Sequence, residues 1–150
     1  MASNLSEDIL WFISRGNHAT LVKRKTAGGI QFSRDPLNLT NLHAKKYEGY
    51  ANDRAIGIQP NPDGGLTLLT KKPNKANKPG LEINAASYGA GKSSRRTYKS
   101  IVNSTAKKGY RADLRTEAVA RASAIRQLQR KKKDAKPAKL RGGKAAKAAA

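Results

Sequence analysis

Apolar residues near the start of the chain are spaced as in a short helix. The segment SEDILWFIS, residues 6–14, offers apolar side chains for packing, and Ser6 stands where an N-cap is expected. Two acidic residues in the first turn suit the positive end of the helix dipole. Trp11 is the only tryptophan and falls in this apolar stretch, so we expect it in the core rather than on a ligand-binding surface.

Two pairs of short β-prone runs follow, and each pair surrounds a turn. The runs at 19–25 and 30–33 flank Thr-Ala-Gly-Gly, and those at 54–59 and 66–72 flank Pro-Asn-Pro-Asp-Gly-Gly. Prolines and paired glycines do not continue a strand, so the pattern predicts two β-hairpins. The run LEINA, residues 81–85, predicts one more short strand.

The periodicity becomes helical from Ser93 onward. A helix of about four turns is predicted from a cap at Ser93 or Ser94 to a stop at Gly109. Its apolar positions follow the i, i+3, i+4, i+7 rule. These positions are Tyr98, Ile101, Val102 and Thr105.

A second helix is predicted after Asp113, which is a suitable N-cap. One face of this helix is apolar and consists of Leu114, Ala118, Ala122, Ile125 and Leu128. A neighbouring stripe is basic and consists of Arg115, Arg126, Arg130 and Lys133. One face is therefore predicted to pack while the other meets phosphates.

These elements predict an α+β fold with three parts. Residues 1–92 are expected to form a small domain of β-hairpins with a short helix, followed by a basic arm of two α-helices at 93–130. The Lys/Ala-rich tail at 131–150 is expected to be disordered, because it cannot bury enough apolar surface to offset its ordering entropy.

Charge is distributed unevenly along the chain. The 150 residues include 31 Lys and Arg against 10 Asp and Glu, for a net charge of +21. Residues 1–92 hold thirteen basic and seven acidic side chains, whereas residues 93–150 hold eighteen and three. A chain this cationic favours a polyanionic partner, and nucleic acid is the default.

Several other classes of protein are disfavoured by composition. The chain has no cysteine, which excludes disulfides, thiolate zinc sites and a cysteine nucleophile. The longest apolar run is far too short for a membrane span or a signal peptide, so we expect a soluble, intracellular protein without a membrane partner. His18 and His43 have no His or Glu at metal-site spacing and are interpreted as ordinary residues, with no metal and no cofactor.

The segment NAASYGAGKSS, residues 84–94, satisfies a loose phosphate-loop pattern. The matching residues are Ala86, Gly91, Lys92 and Ser93. Nothing after residue 108 resembles a further strand, and none of the six aspartates follows an apolar strand as a magnesium ligand would. We therefore interpret the segment as a mobile glycine-rich connector that ends in a helix cap. Lys92 and the helix start are predicted to hold a nucleic-acid phosphate instead.

Three longer strings resemble the L28e family of the eukaryotic large (60S) ribosomal subunit. They are ILWFISRGNHATLVKRK, DPLNLTNLHAKKYEGYANDRAIGIQP and GYRADLRTEAVARASAIRQLQRKKK. The last looks like the family's Tyr-Arg-Pro-Asp-Leu-Arg segment and the Arg-Ala-Ser-Ala-Ile helix after it, with Ala112 in place of the proline. The resemblance spans residues 9–133. It implies an α+β domain, two basic helices, direct contact with 25S/28S-type rRNA and no catalysis.

We therefore expect a structural constituent of the 60S subunit that binds and stabilises rRNA and supports cytoplasmic translation. Its partners would be rRNA and neighbouring ribosomal proteins, with no small-molecule substrate and no homo-oligomer, in the cytosol after nucleolar passage. One alternative is a nucleolar ribosome-biogenesis factor, although the related factors carry cysteines and a long acidic C-terminal region. The other is a basic DNA- or chromatin-binding protein.

The candidate rRNA contacts are basic residues of two ranks, with Arg suited to bidentate phosphate contact and Lys to diffuse neutralisation. The first rank comprises Arg95, Arg96, Lys99, Lys107, Lys108, Arg111, Arg115, Arg121, Arg126 and Arg130. The second rank comprises Lys23, Arg24, Lys45, Lys46, Lys71, Lys72 and the tail lysines, including Lys131, Lys132 and Lys133. Tyr47, Tyr50, Tyr88 and Tyr110 are candidates for stacking on bases, with core packing as the alternative.

Overall fold

The computed structural model describes residues 5–26, 28–75 and 78–130, and in this part of the chain the fold is α+β, as predicted. The elements in chain order are α1 (Glu7–Ser14), β1 (Leu21–Lys23), β2 (Gln31–Ser33), β3 (Ile56–Pro60), β4 (Gly65–Lys71), α2 (Pro79–Glu82), β5 (Ile83–Gly89), α3 (Ser94–Ser104) and α4 (Arg115–Leu128). Short 3₁₀ turns lie at Pro73–Lys75, Ala106–Lys108 and Ala112–Leu114. The predicted tail at 131–150 lies outside the described residues.

Both predicted β-hairpins are confirmed. Strands β1 and β2 pair antiparallel with Val22 opposite Phe32, and β3 and β4 pair antiparallel with Ile58 opposite Leu68. Gly65 shows why the second turn needs glycine. Its φ is +89°, and a Cβ at this position would overlap the carbonyl oxygen of Tyr88 on the adjacent strand.

Strand β5, which joins β3 and β4 in a three-stranded sheet, is longer than predicted and begins later. The expected strand at 81–85 starts within α2, whereas β5 runs over seven residues and pairs antiparallel with the whole of β4. The interpretation of 84–94 as a mobile connector was therefore wrong for residues 84–89, which form a strand. Only Ala86 and Tyr88 of β5 are even half-buried, and its small Ala, Ser and Gly residues hide the alternation that would have revealed it.

The core lies between the β3–β4–β5 sheet and the two helices α3 and α4. Its buried members come from both halves of the chain: Leu39, Ile56, Ile58, Leu66, Leu68, Ile101, Leu114, Ala118, Ala122 and Ile125. The boundary drawn at residue 92 therefore marks a change of charge and not a division of this core. The division into domains stays a prediction.

Helix α3 has the predicted cap and stop but is shorter than predicted. The Ser93 hydroxyl accepts a hydrogen bond from the Arg96 N–H, which satisfies a free donor at the helix start. The helix ends at Ser104 after about three turns. A 3₁₀ turn follows and closes on Gly109, whose φ of 68° is the left-handed conformation of a C-terminal stop. Of the predicted packing stripe of α3, Ile101 and Thr105 are buried, whereas Tyr98 and Val102 are only half-buried and Thr97 is buried instead.

Helix α4 buries the predicted residues except the last. Asp113 is not its N-cap, because a 3₁₀ turn precedes the helix and the Asp113 carboxylate pairs with Arg111. Leu128 is 87% exposed rather than packed. At this end of the helix it is Gln129 that meets the sheet, where its amide both accepts from and donates to the backbone of Gly65.

Helix α1 is capped by Ser6, whose hydroxyl accepts from the Ile9 N–H as predicted. The expectation that Trp11 lies in the core was wrong. Trp11 is only half-buried and packs on the rings of His43 and Tyr50, with centroids 4.8 and 6.4 Å away.

Across the described residues, no helix combines the length and the apolar character needed to cross a membrane.

Candidate nucleic-acid interface

The outer face of α3 presents three predicted basic residues to solvent. Arg95, Arg96 and Lys99 are exposed on the side opposite the buried Thr97 and Ile101. This placement follows from the 3.6-residue period once the inner face is fixed by packing. No Asp or Glu occurs anywhere from residue 83 to residue 112, so no acidic side chain of this segment offsets their charge.

The turn after α3 and the start of α4 add three more exposed cations. Lys107 and Lys108 lie in the 3₁₀ turn, and Arg115 is the first residue of α4. Because the chain reverses between the two helices, Lys107 and Arg115 line one groove together.

This α3–α4 groove is an open cleft of about 920 Å³. Its walls combine Tyr98, Val102, Val119 and Ala120 with polar and basic side chains. The remaining lining residues are Lys99, Asn103, Lys107, Arg115, Thr116 and Ser123, with no acidic residue among those described. Such a surface can take a flat aromatic ring against its apolar wall while the cations meet flanking phosphates.

Tyr98 is the groove residue that sequence reasoning missed as a base-stacking candidate. It was assigned to the packing face of α3, whereas the structure leaves it half-buried between the core and the groove. The adjacent Lys99 was the available signal, since an aromatic ring beside an exposed cation is typical of single-stranded RNA contacts.

The four tyrosines that were proposed for stacking are all packed to some degree. Tyr47, Tyr88 and Tyr110 pack against the core, and Tyr50 lies in the ring cluster with Trp11 and His18.

Arg111 uses most of its hydrogen-bonding capacity inside the protein. Its guanidinium donates to both carboxylate oxygens of Asp113 at 2.9 Å and to the carbonyl oxygens of Arg54 and Lys46 at 2.8 and 2.7 Å. Four of the five N–H groups of an arginine are thus engaged, which leaves little for a phosphate. Arg111 also adopts a left-handed φ of 49°, so its backbone is fitted to this turn.

Lys71 is similarly committed. Its ammonium group donates to the carbonyl oxygens of Gly49 and Asn52, both at 3.1 Å, and pairs with Glu82 at 3.2 Å. The side chain is 11% exposed. An ammonium has three N–H donors, so these partners account for all of them.

Arg126 and Arg121, both half-buried on α4, behave differently from the exposed cations. One amino group of Arg126 donates to the carbonyl oxygens of Ala90 and Lys92 at 3.1 and 2.6 Å, which holds the turn before α3. The buried Nε of Arg121 has no hydrogen-bond partner among the described residues.

Lys92 is directed along α3 rather than across the turn that precedes it. Its ammonium donates to the Ser100 hydroxyl at 3.2 Å and lies 4.9 Å from the centre of the Tyr88 ring. Because β5 is antiparallel to β4, this turn does not follow a strand of a parallel sheet, as a nucleotide-binding phosphate loop does.

Two second-rank lysines are engaged in ion pairs. Lys45 pairs with Asp8, and Lys46 pairs with Glu117 at 3.0 Å. The exposed members of the predicted set that remain are Lys23, Arg24, Lys72 and Arg130. Lys131, Lys132 and Lys133 lie outside the described residues. Lys133 was also the last member of the predicted basic stripe.

Asp113 and Glu117 lie near this surface, and each is paired with a neighbouring cation. The hydrogen bond from Arg111 is the main cause that lowers the pKa of Asp113. The pKa of Glu117 falls from 4.5 to about 2, chiefly through the Thr116 hydroxyl and then through its own backbone N–H and Lys46. The hydrogen bond to Glu117 in turn raises the pKa of Lys46. Both carboxylates therefore remain charged and paired at neutral pH.

Comparison with known proteins places this chain beside ribosomal proteins. Residues 9–128 match the model of the Ribosomal L28e protein family. The chain is also similar to the large ribosomal subunit protein eL28 of Schizosaccharomyces pombe. The two are 44% identical over 131 residues, which is 87% of this chain and 97% of the relative.

Proposed function

The chain belongs to the Ribosomal L28e protein family, whose members are structural ribosomal proteins and not enzymes, and we propose that it binds and stabilises large-subunit rRNA. In this proposal the protein is a cytosolic 60S component that supports translation, after passing through the nucleolus during assembly. Its partners are 25S/28S-type rRNA and the ribosomal proteins that adjoin it, and it acts as a single copy.

The observation that best supports rRNA binding is the α3–α4 groove. Three cations, Lys99, Lys107 and Arg115, share one cleft with Tyr98, and no acid is found among the described lining residues. Phosphate contacts supply most of the affinity for nucleic acid, and an aromatic wall gives an unstacked base a place to lie. A merely solvated surface would be expected to mix both signs of charge.

We propose that the exposed cations on the same side as the groove extend the contact. Arg95 and Arg96 on α3 and Lys108 in the following turn are free for bidentate or diffuse phosphate contact. Arg111 and Lys71 support the surface from inside, since their donors are already used. The remaining predicted residues, including the tail lysines, are proposed as secondary contacts.

The test is the salt dependence of rRNA binding by a groove variant and a charge-matched control. The groove variant is Lys99→Gln, Lys107→Gln and Arg115→Gln. The control carries Lys25→Gln, Arg34→Gln and Lys78→Gln, three exposed cations that are not predicted contacts. If about ten phosphates are contacted, the slope of log affinity against log salt is about −7 to −9, and the groove variant should flatten it by about 2 to 3.

The control should change the slope by less than about one unit, because its cations are proposed to make no phosphate contact. Equal losses in both variants would mean that only net charge matters and would reject the groove as the contact surface.

Two other assignments make different predictions. A chromatin protein would prefer duplex DNA to structured rRNA at equal salt, whereas we expect the reverse. A nucleolar assembly factor would be recovered only in precursor particles. We expect this chain to remain in purified mature 60S subunits after a high-salt wash.

A further inference from the structure

Two histidines and a glutamate that are distant in sequence converge beside the β1–β2 hairpin. His18 Nε2 lies 3.4 Å from His43 Nδ1, and His43 Nδ1 lies 3.4 Å from Glu48 Oε1. All three atoms fall within 4.8 Å of one another. From the sequence the two histidines were interpreted as ordinary residues, because their pairing is created by the fold and not by local spacing. We call these three residues the His–Glu cluster.

The outer hydrogen bonds of the cluster fix which atoms point inward. His43 Nε2 lies 2.9 Å from the Arg15 carbonyl oxygen, which can only accept, so Nε2 carries a hydrogen and Nδ1 of the neutral ring offers a lone pair. His18 Nδ1 lies 2.9 Å from the Thr20 hydroxyl, which can accept from it and leave Nε2 free. Outer partners of this kind orient histidines that bind metals.

Glu48 is oriented in the same way and brings a buried negative charge. Its Oε2 accepts from the Ser33 hydroxyl at 3.0 Å, which leaves Oε1 toward the histidines. The Glu48 side chain is 0% exposed. Its described partners offer no Lys or Arg; they are Ser33, Asn38 and His43. A buried carboxylate needs a compensating positive charge, and a bound metal ion is one of the two usual solutions.

The other solution, a protonated His43, satisfies the cluster less completely. Its Nδ1–H would be the one hydrogen for both Glu48 Oε1 and His18 Nε2, each at 3.4 Å. A cation between the three atoms would instead take a lone pair from each. Tetrahedral ligands with bonds of about 2.0–2.2 Å lie roughly 3.3–3.6 Å apart. Both separations from His43 Nδ1, to His18 Nε2 and to Glu48 Oε1, are 3.4 Å.

We propose that His18, His43 and Glu48 bind a divalent transition-metal ion of the Zn²⁺ class, with water in the fourth position. Two imidazoles and one carboxylate are a recognised zinc ligand set. The rings of Trp11 over His43 and of Tyr50 beside His18, each with centroids 4.8 Å apart, shield the site, while the half-buried His18 leaves an entrance.

The ion would link segments that contribute little to the main core. Among the described residues from 5 to 55, only Leu39 belongs to the buried core cluster, with Tyr47 packed against it. The ligands come from the turn before β1 and from the loop between β2 and β3. Binding would therefore stabilise the folded arrangement of this region, since an ion that binds only the native state raises its stability.

The test uses the purified full chain with Zn²⁺ in calorimetry and Co²⁺ in absorption spectroscopy. We expect one Zn²⁺ per chain, a melting temperature that rises with Zn²⁺, and the intense d–d bands of tetrahedral Co²⁺. His18→Ala should weaken binding by more than about 100-fold, because loss of an outer partner alone costs roughly 10–100-fold. The control Asp63→Asn removes an exposed carboxylate outside the cluster and should bind as the parent does.

Failure to bind Zn²⁺ stoichiometrically would overturn the proposal, and so would undiminished binding by His18→Ala. The Co²⁺ spectrum of the parent chain gives a result that does not depend on how a variant folds. A weak octahedral spectrum would also overturn the site.

Discussion

The Tyr110 hydroxyl donates to the Lys71 carbonyl oxygen at 2.5 Å and accepts from the Ala55 N–H at 3.2 Å. These bonds connect the linker between α3 and α4 to the end of β4 and to the residue that precedes β3. Burial is the main cause that raises the pKa of Tyr110, which keeps the hydroxyl protonated as the donor. One side chain thus fixes the helical pair on the sheet.

Tyr110→Phe should lower the free energy of unfolding by about 1–3 kcal/mol, because it leaves buried backbone groups without their partner. Urea denaturation measures the change. Tyr88→Phe is a suitable control, since Tyr88 also packs against the core but its hydroxyl has no hydrogen-bond partner among the described residues. Equal losses in the two variants would assign the effect to packing instead.

Substitutions of Arg111 and Arg95 should have different effects, the first on stability and the second on RNA affinity. Arg111→Gln should lower the melting temperature, because it removes bonds to Asp113 and to the carbonyl oxygens of Arg54 and Lys46. Its salt slope for rRNA should stay nearly unchanged. Arg95→Gln should flatten the slope by about 0.7 to 0.9 and leave the melting temperature unaltered. The reverse pattern would place Arg111 on the phosphate.

Glu117 should make a pH-dependent contribution to stability. Its pKa in the folded state is about 2, below the ordinary value of 4.5, so folding favours the ionised form. The stabilisation is fully present above about pH 4.5 and is lost as the pH falls toward about 2. The parent should therefore lose more stability than Glu117→Gln over that range, as measured by urea unfolding at several pH values. Parallel curves for the two proteins would contradict the assignment.

Gly65→Ala should destabilise the protein by at least about 2 kcal/mol, because the position combines a positive φ with no space for a Cβ. Gly16→Ala is the matched control, since nothing lies within 4 Å of a Cβ there and its φ is not in the left-handed range. We expect the control to change stability by less than about 1 kcal/mol. Thermal unfolding of both variants gives the comparison.

Features set by neighbouring residues were predictable from the sequence, whereas those set by distant contacts were not. The hairpins and the Ser6 and Ser93 caps depend on local turn and capping chemistry, and they were confirmed. The predicted strand ended at Ala85, because the small residues after it carry a weak strand signal. In the structure, pairing with β4 extends β5 to Gly89.

The candidate surface shows the same limit. Arg111 resembles an exposed phosphate ligand in the sequence, yet its partners Lys46 and Arg54 are 65 and 57 residues away. His18 and His43 are 25 residues apart and meet only in the folded chain. Tertiary contacts decide which cations are free, and composition alone does not show them.

The shared core has a consequence for how the protein is made. The apolar face of β3 and β4 is covered by α4, so a nascent chain must extend past Ile125 before Ile58 and Leu66 lose their contact with water. The apolar residues of β3 and β4 therefore stay exposed until α4 has been synthesised. During that time they can aggregate or bind chaperones. The core of this protein is therefore completed only after α4 has been synthesised.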